Sequence, residues 1–154
     1  MLCNVIATKD NLLRRVIPLA CVRCPLCGLE EESVRHLFFE CRVSWRIWSL
    51  CIKWLGASLV LHCDAQRHFK TFKPIGLKYT IIRCWGGIWV GIVSEIWNHR
   101  NKVVFENGRV DAVEVFTVVQ RKTWSWITVK EKLATLSYSD WCLEPHCCMR
   151  YLKD

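Results

Sequence analysis

What the chain is short of narrows the reading first. Only four Pro and seven Gly interrupt 154 residues, so long unbroken segments are expected. Charged residues make up 23% against 52% hydrophobic, which excludes global disorder. Acidic residues are in deficit. Fourteen Asp+Glu face 22 Lys+Arg, giving a formal charge of +8, a balance that suits anionic partners. No apolar run is long. The most apolar stretch, Cys84 to Val93, is bounded by Arg83 and Glu95 and falls far short of the ~20 residues a spanning helix needs. It holds Gly87-x-x-x-Gly91, and it reads as a buried helix of a folded domain, with no membrane role. Residues 1–20 carry Lys9, Asp10, Arg14 and Arg15 in place of an apolar leader, so no signal peptide is read there.

Two residue types are abundant. Nine Trp supply large apolar surface that must be buried here or against a partner. Eleven Cys is an odd number that cannot all pair within one chain. Without a leader, the expected setting is a reducing intracellular one, nucleus or cytoplasm, with thiols used for metal binding or packing.

Apolar spacing and punctuation define the expected elements. Thr8 caps a short helix, Lys9 to Arg15, stopped by Pro18. Residues 21–28, Cys-Val-Arg-Cys-Pro-Leu-Cys-Gly, form a tight turn around Pro25 and Gly28. An acidic run, Glu30-Glu31-Glu32, comes next. Ser33 then opens a helix reaching Leu55, with Gly56 as its stop and Val34, Leu37, Phe38, Cys41, Trp45, Trp48, Ile52 and Leu55 as its apolar stripe. A second helix spans about Leu77 to Val103 on Ile82, Trp85, Trp89, Ile92, Ile96 and Val103. Gly86-Gly87 weakens it by about 2 kcal/mol relative to two alanines. Asn107-Gly108 is a turn, and Asp111 with Glu114 caps a third helix whose face is Phe116, Val119, Trp126 and Leu133. The expected organisation is a module over 1–56, a linker over 57–76, a helical region over 77–136 and an irregular tail over 137–154. The fold class is mainly α: a small CCHC knuckle leading into a long helix, packed with two further helices.

One constellation carries chemistry. Cys24-x2-Cys27-x8-His36-x4-Cys41 places two thiols on one turn, with a His and a Cys at the spacing zinc fingers use. On an ideal helix, positions five apart diverge by roughly 140°, so the first turns must tighten or bend for both to reach one ion. Four soft or borderline ligands leave no open position, which points to one structural zinc. Cys21-x2-Cys24 is a second CxxC, so Cys21 competes for a ligand place; Pro25 and Gly28 favour Cys24 and Cys27. His62-Cys63 with His68, and Cys142 with His146-Cys147-Cys148, lack such spacing and read as ordinary side chains. Arg14, Arg15, Arg23, Arg35, Arg42 and Arg46 cluster around the knuckle; Arg23, Arg35, Arg42 and Arg46 are the candidate phosphate contacts. Trp45, Trp48, Trp85, Trp89 and Trp126 lie at core spacing rather than on a base-stacking platform.

The segment from Cys24 to Cys41, with Trp45 and Ile47-Trp48 beyond it, resembles the zinc-binding region of plant non-LTR (LINE-type) retrotransposon reverse transcriptases. The helix from Thr8 to Arg15 resembles the element before that knuckle. Ile96 to Phe105 and the Trp124-Ser-Trp126 segment resemble, more loosely, the region downstream of the knuckle in such polyproteins. The resemblance implies zinc ligands Cys24, Cys27, His36 and Cys41, and a module that sits beyond the polymerase domain and helps hold RNA or DNA. The chain has no Asp-Asp pair, and Asp64, Asp111 and Asp140 are scattered, so neither a polymerase palm nor a paired-metal carboxylate set is read here. The expected function is non-catalytic binding of an RNA or DNA phosphate backbone. The alternative is a structural or protein-interaction remnant that docks on neighbouring polyprotein domains or on itself.

Overall fold

The computed structural model describes residues 6–131 and 136–152. Within them the chain is mainly helical, and its one extended pairing is an isolated antiparallel bridge between Arg23 and Glu31. In order come α1 (Lys9–Arg14), a π-helical turn (His36–Glu40), α2 (Arg42–Trp54), α3 (Ala65–Phe72), α4 (Tyr79–Glu106), α5 (Ala112–Lys130), α6 (Tyr138–Leu143) and α7 (Pro145–Arg150).

Thr8 occupies the N-cap position of α1 as expected, but its hydroxyl donates to Asp10 and makes no cap bond to the backbone, and the helix ends at Arg14, before Pro18 is reached. Val16 takes φ 60°, Val16 N–H donates to Leu13 O and Ile17 N–H to Leu12 O. That pair of bonds is the Schellman stop. Gly56 (φ 62°) ends α2 with the same pair, its N–H on Lys53 O and that of Ala57 on Ile52 O.

The single helix expected from Ser33 to Leu55 is broken. Ser33 does cap the first turn, its Oγ accepting from His36 N–H at 3.0 Å. The turn then widens: Cys41 N–H bonds His36 O at 2.7 Å, and Cys41 itself is extended (φ −61°, ψ 130°). The break shifts the phase of the apolar stripe. Ser44, Ile47, Trp48, Cys51 and Leu55 face inward, while Trp45 is turned out at 53% exposure.

The segment expected as a linker contains α3, capped by Asp64, whose side chain accepts from Arg67 N–H at 2.9 Å. His68 and Phe72 of α3 enter the core. There Phe39, Trp48, Trp85 and Trp89 surround them, with ring centroids 4.4–6.5 Å apart in each contact.

The long α4 buries Trp85, Trp89, Ile92 and Ile96 as its periodicity predicts, with Ile82 and Val103 half-buried. Its glycines seat α5. A Cβ on Gly87 would lie 2.6 Å from the Trp126 ring, and one on Gly91 3.2 Å from Thr123. Close packing therefore offsets the helix penalty of these glycines. Asp111 caps α5 by accepting from Val113 and Glu114 N–H. The inward face of α5 is Ala112, Val115, Val119, Thr123 and Ile127. Phe116 is half-buried, Trp126 is 38% exposed, and Leu133 lies outside the described residues.

The tail expected to be irregular holds α6 and α7. Ser137 caps α6 through Asp140 N–H, and Pro145 sits in the first turn of α7. Trp141 is fully buried, its indole N–H bonded to Gln120 O, while Trp54 donates to Trp141 O. These bonds close α6 over α2 and α5.

Candidate metal centre

Between Val22 and Glu32 the chain folds back on itself: Cys24 N–H donates to Glu30 O, Gly28 N–H to Cys24 O, and Glu32 N–H to Val22 O. Gly28 takes φ 70°, which its missing Cβ permits. This hairpin presents Cys24 and Cys27. The other two donors come from the π turn. An i→i+5 bond stacks residues five apart over each other, so His36 and Cys41, which an ideal helix would separate by roughly 140°, face the same way. The departure from an ideal helix that the spacing requires is taken as a widened turn.

The donor atoms of Cys24, Cys27, His36 and Cys41 all lie within 4.8 Å of one another, and all four residues are buried. Cys24 and Cys41 Sγ are 4.0 Å apart, and Cys27 Sγ is 3.3 Å from His36 Nε2. Tetrahedral zinc with sulfur at ~2.3 Å and nitrogen at ~2.0 Å needs ligand atoms ~3.5–3.8 Å apart. The donor set fits that ion in size and in chemistry. Cys21 is exposed and stands outside the cluster.

The local backbone favours thiolates. The Cys24 thiol hydrogen-bonds the Cys41 sulfur, and Ser44 and Val43 N–H at the start of α2 also point to it. Together with the His36 charge these hold Cys41 down to about 5, against the upward push of burial. Cys24 is pushed up by donating that bond and by burial, and pulled down by Cys27 and Leu26 N–H. The backbone donors near both sulfurs favour the thiolate, the form that binds metal.

A buried ion pair fastens the knuckle to α4. Arg100 Nε and Nη2 reach the two Glu32 oxygens at 2.7 and 2.8 Å, with the side chains 4% and 0% exposed. Lys9 N–H also donates to Glu32 at 3.0 Å. In the sequence Glu32 reads only as one of three consecutive acids, and nothing beside it announces this pair. The signal lies in α4: Ile92, Ile96 and Arg100 succeed one another at steps of four, and a cation on a buried stripe requires a buried partner.

Arg23, Arg35, Arg42 and Arg46 are all exposed. They do not form one patch. Arg23 Nη1 approaches Gly28 O at 3.4 Å and Arg42 Nη2 approaches Cys27 O at 3.5 Å, both on the knuckle tip. Arg46 comes one turn further along α2, whereas Arg35 pairs with Glu40 at 2.7 Å. Of the two downstream Cys/His groups, His68 is buried in the aromatic core and Cys63 is exposed. Glu144, His146 and Cys147 do come together, but as three donors that are not buried and lack the closed shell of the knuckle.

Residues 1–48 match the family described as zinc-binding in reverse transcriptase. That stretch contains all four clustered donors and ends at Trp48 in the core of α2. Neither the curated proteins nor the solved structures yield a match to the chain. No helix among the described residues is long and apolar enough to cross a membrane.

Proposed function

We propose that the chain is a zinc-stabilised nucleic-acid-binding module derived from a plant non-LTR retroelement reverse transcriptase, with no catalysis of its own. One structural zinc is held by Cys24, Cys27, His36 and Cys41. The observation that carries this reading is the convergence of four buried donors within 4.8 Å inside a segment matching a reverse-transcriptase zinc-binding family. The ion would fix the hairpin against the start of α2. That corner holds Arg23 and Arg42 on the knuckle tip, with Arg46 next along the helix. Guanidinium groups so placed grip phosphate oxygens through charge and forked hydrogen bonds, with little regard to base sequence. The net charge of +8 adds long-range attraction.

Metal content and binding test the two halves of the proposal. Protein purified without added zinc is expected to carry one tightly held zinc per chain after a wash with a weak chelator. His36→Ala is expected to lose it, together with local structure. Zinc-loaded protein is expected to bind single-stranded RNA with an affinity that falls steeply with salt. The triple variant of Arg23, Arg42 and Arg46 to Ala weakens that binding at unchanged zinc content. A folded, metal-free wild type removes the zinc site; zinc-loaded protein that ignores RNA at low salt removes the nucleic-acid role.

A further inference from the structure

Three arginines from three separate stretches of chain converge on a cleft beside the knuckle. The cleft has a volume of about 470 Å³. Arg14 enters from the last turn of α1, Arg35 from the turn that leads into the π helix, and Arg67 from the first turn of α3. His62 completes the basic wall, and Phe39 supplies apolar floor. Arg14 and Arg35 are far apart in sequence from Arg67, and the segment carrying Arg67 reads in the sequence as a linker.

The charges are arranged rather than merely present. Arg35 Nε is anchored on Glu40 at 2.7 Å, which holds the group at the cleft wall, where Cys63 also lines the cleft. Two carboxylates share the cleft, and both are already occupied. Asp10 accepts from the Thr8 hydroxyl and lies 3.8 Å from Arg14. Asp64 caps α3 through Arg67 N–H. No ion pair is seen for the Arg67 side chain among the described residues. The start of α3 adds the positive end of a helix dipole to the same cleft. Fork-shaped donors of fixed charge, an imidazole and a helix start are the groups that recognise a phosphate oxyanion.

We propose that this cleft is a phosphate-binding site in which Arg14, Arg35, Arg67 and His62 hold one phosphate of a nucleic-acid strand. The proposal rests on the nucleic-acid reading above and adds a second, separate contact to it: the knuckle tip carries Arg23 and Arg42, while this site lies across α1 and α3. A strand touching both would be held at two points, which fixes its direction across the module.

The test uses zinc-loaded full-length protein and labelled single-stranded RNA about twenty nucleotides long, with either a 5′-phosphate or a 5′-hydroxyl. The Arg14→Ala/Arg67→Ala double variant alters two exposed side chains, so its fold and zinc content are checked against wild type by circular dichroism and metal analysis. Its affinity is expected to fall about tenfold, and the slope of log affinity against log salt to shrink by about one phosphate contact. Arg67→Lys keeps the charge without the fork and is expected to fall in between. Loss of the 5′-phosphate preference in the double variant identifies a terminal phosphate as the ligand, and equal loss for both RNAs identifies an internal phosphodiester. Unchanged affinity and slope overturn the cleft while leaving the knuckle reading intact. If wild type binds no RNA, titration with inorganic phosphate decides: binding lost in the double variant keeps the cleft, and no binding ends it.

Discussion

His68 shows what one side chain concedes to the core. Its Nδ1 accepts the Trp89 indole N–H at 2.9 Å, so Nε2 carries the ring proton, and Nε2 is buried without a partner. Phe39 and Trp48 crowd the ring, with centroids 4.8 and 4.4 Å away. Burial pushes its pKa down from 6.5 to about 4, because an imidazolium there would lose its hydration. The unfolded chain therefore binds a proton over a pH range where the folded chain does not. Stability contributed by neutral His68 is present in full above about pH 6.5 and is lost as pH falls toward 4. The whole window is worth about 3 kcal/mol. Urea unfolding of wild type and His68→Leu at about pH 7 and about pH 5 checks this. The variant is expected to be less stable at neutral pH, since Trp89 loses its acceptor, but to lose less on acidification. Protonation of the four clustered Cys and His donors acts on both proteins and cancels in the difference. Equal acid sensitivity would show that His68 does not titrate as described.

At the scale of elements, two adjacent glycines of α4 with the same helix propensity meet different surroundings. A Cβ on Gly86 would touch Phe69 at 3.8 Å, an ordinary contact, whereas one on Gly87 would press into the Trp126 ring at 2.6 Å. Gly86→Ala is expected to stabilise by up to about 1 kcal/mol through helix propensity. Gly87→Ala is expected to destabilise by about 1–2 kcal/mol, because the ring must move and the α4–α5 approach opens. Thermal unfolding of the two variants side by side reads the sign, and the same sign for both would remove the packing account of Gly87. The glycine pair also marks where sequence ceases to be enough. Periodicity locates α4 and α5, Asp111 marks the cap of α5 and Gly56 the stop of α2, because those signals are local. The break at Cys41 is not legible as such: the spacing of His36 and Cys41 requires a departure from an ideal helix, but a widened turn and a tightened one satisfy the same requirement. The helices α3, α6 and α7 escape for another reason. Six to eight residues are too few to show a period, and what holds these helices is remote: His68 and Phe72 in the aromatic core, Trp141 over Gln120. The caps at Asp64 and Ser137 and the first-turn Pro145 are the readable signs. The four clustered donors are legible because their residue types and spacing are those that tetrahedral zinc coordination selects, whereas Arg67 joins the cleft only through tertiary structure.

For the molecule as a whole, the question is what makes the knuckle and the helical region one body. Glu32 lies at the end of the hairpin that carries Cys24 and Cys27, and Arg100 lies near the end of α4. Their forked contact is closed to solvent, and the same carboxylate takes the Lys9 N–H of α1. Asn101 accepts from Arg100 Nη1 at 3.1 Å, and the Trp97 ring lies 5.1 Å from the guanidinium. A buried pair so fully satisfied contributes less to net stability than its distances suggest, since both charges gave up water to enter. Breaking it is another matter, because the remaining charge has no compensation. Arg100→Met and Glu32→Gln are each expected to cost about 3–5 kcal/mol. The double variant is expected to cost clearly less than their sum, since no lone charge is then left inside. Neither residue belongs to the donor cluster, so Co²⁺ bound to the folded single variants is expected to keep the absorption of a thiolate-rich tetrahedral site, while urea midpoints fall. Additive losses in the double-mutant cycle would show that Glu32 and Arg100 act independently, and the knuckle would then be joined to α4 by apolar packing alone.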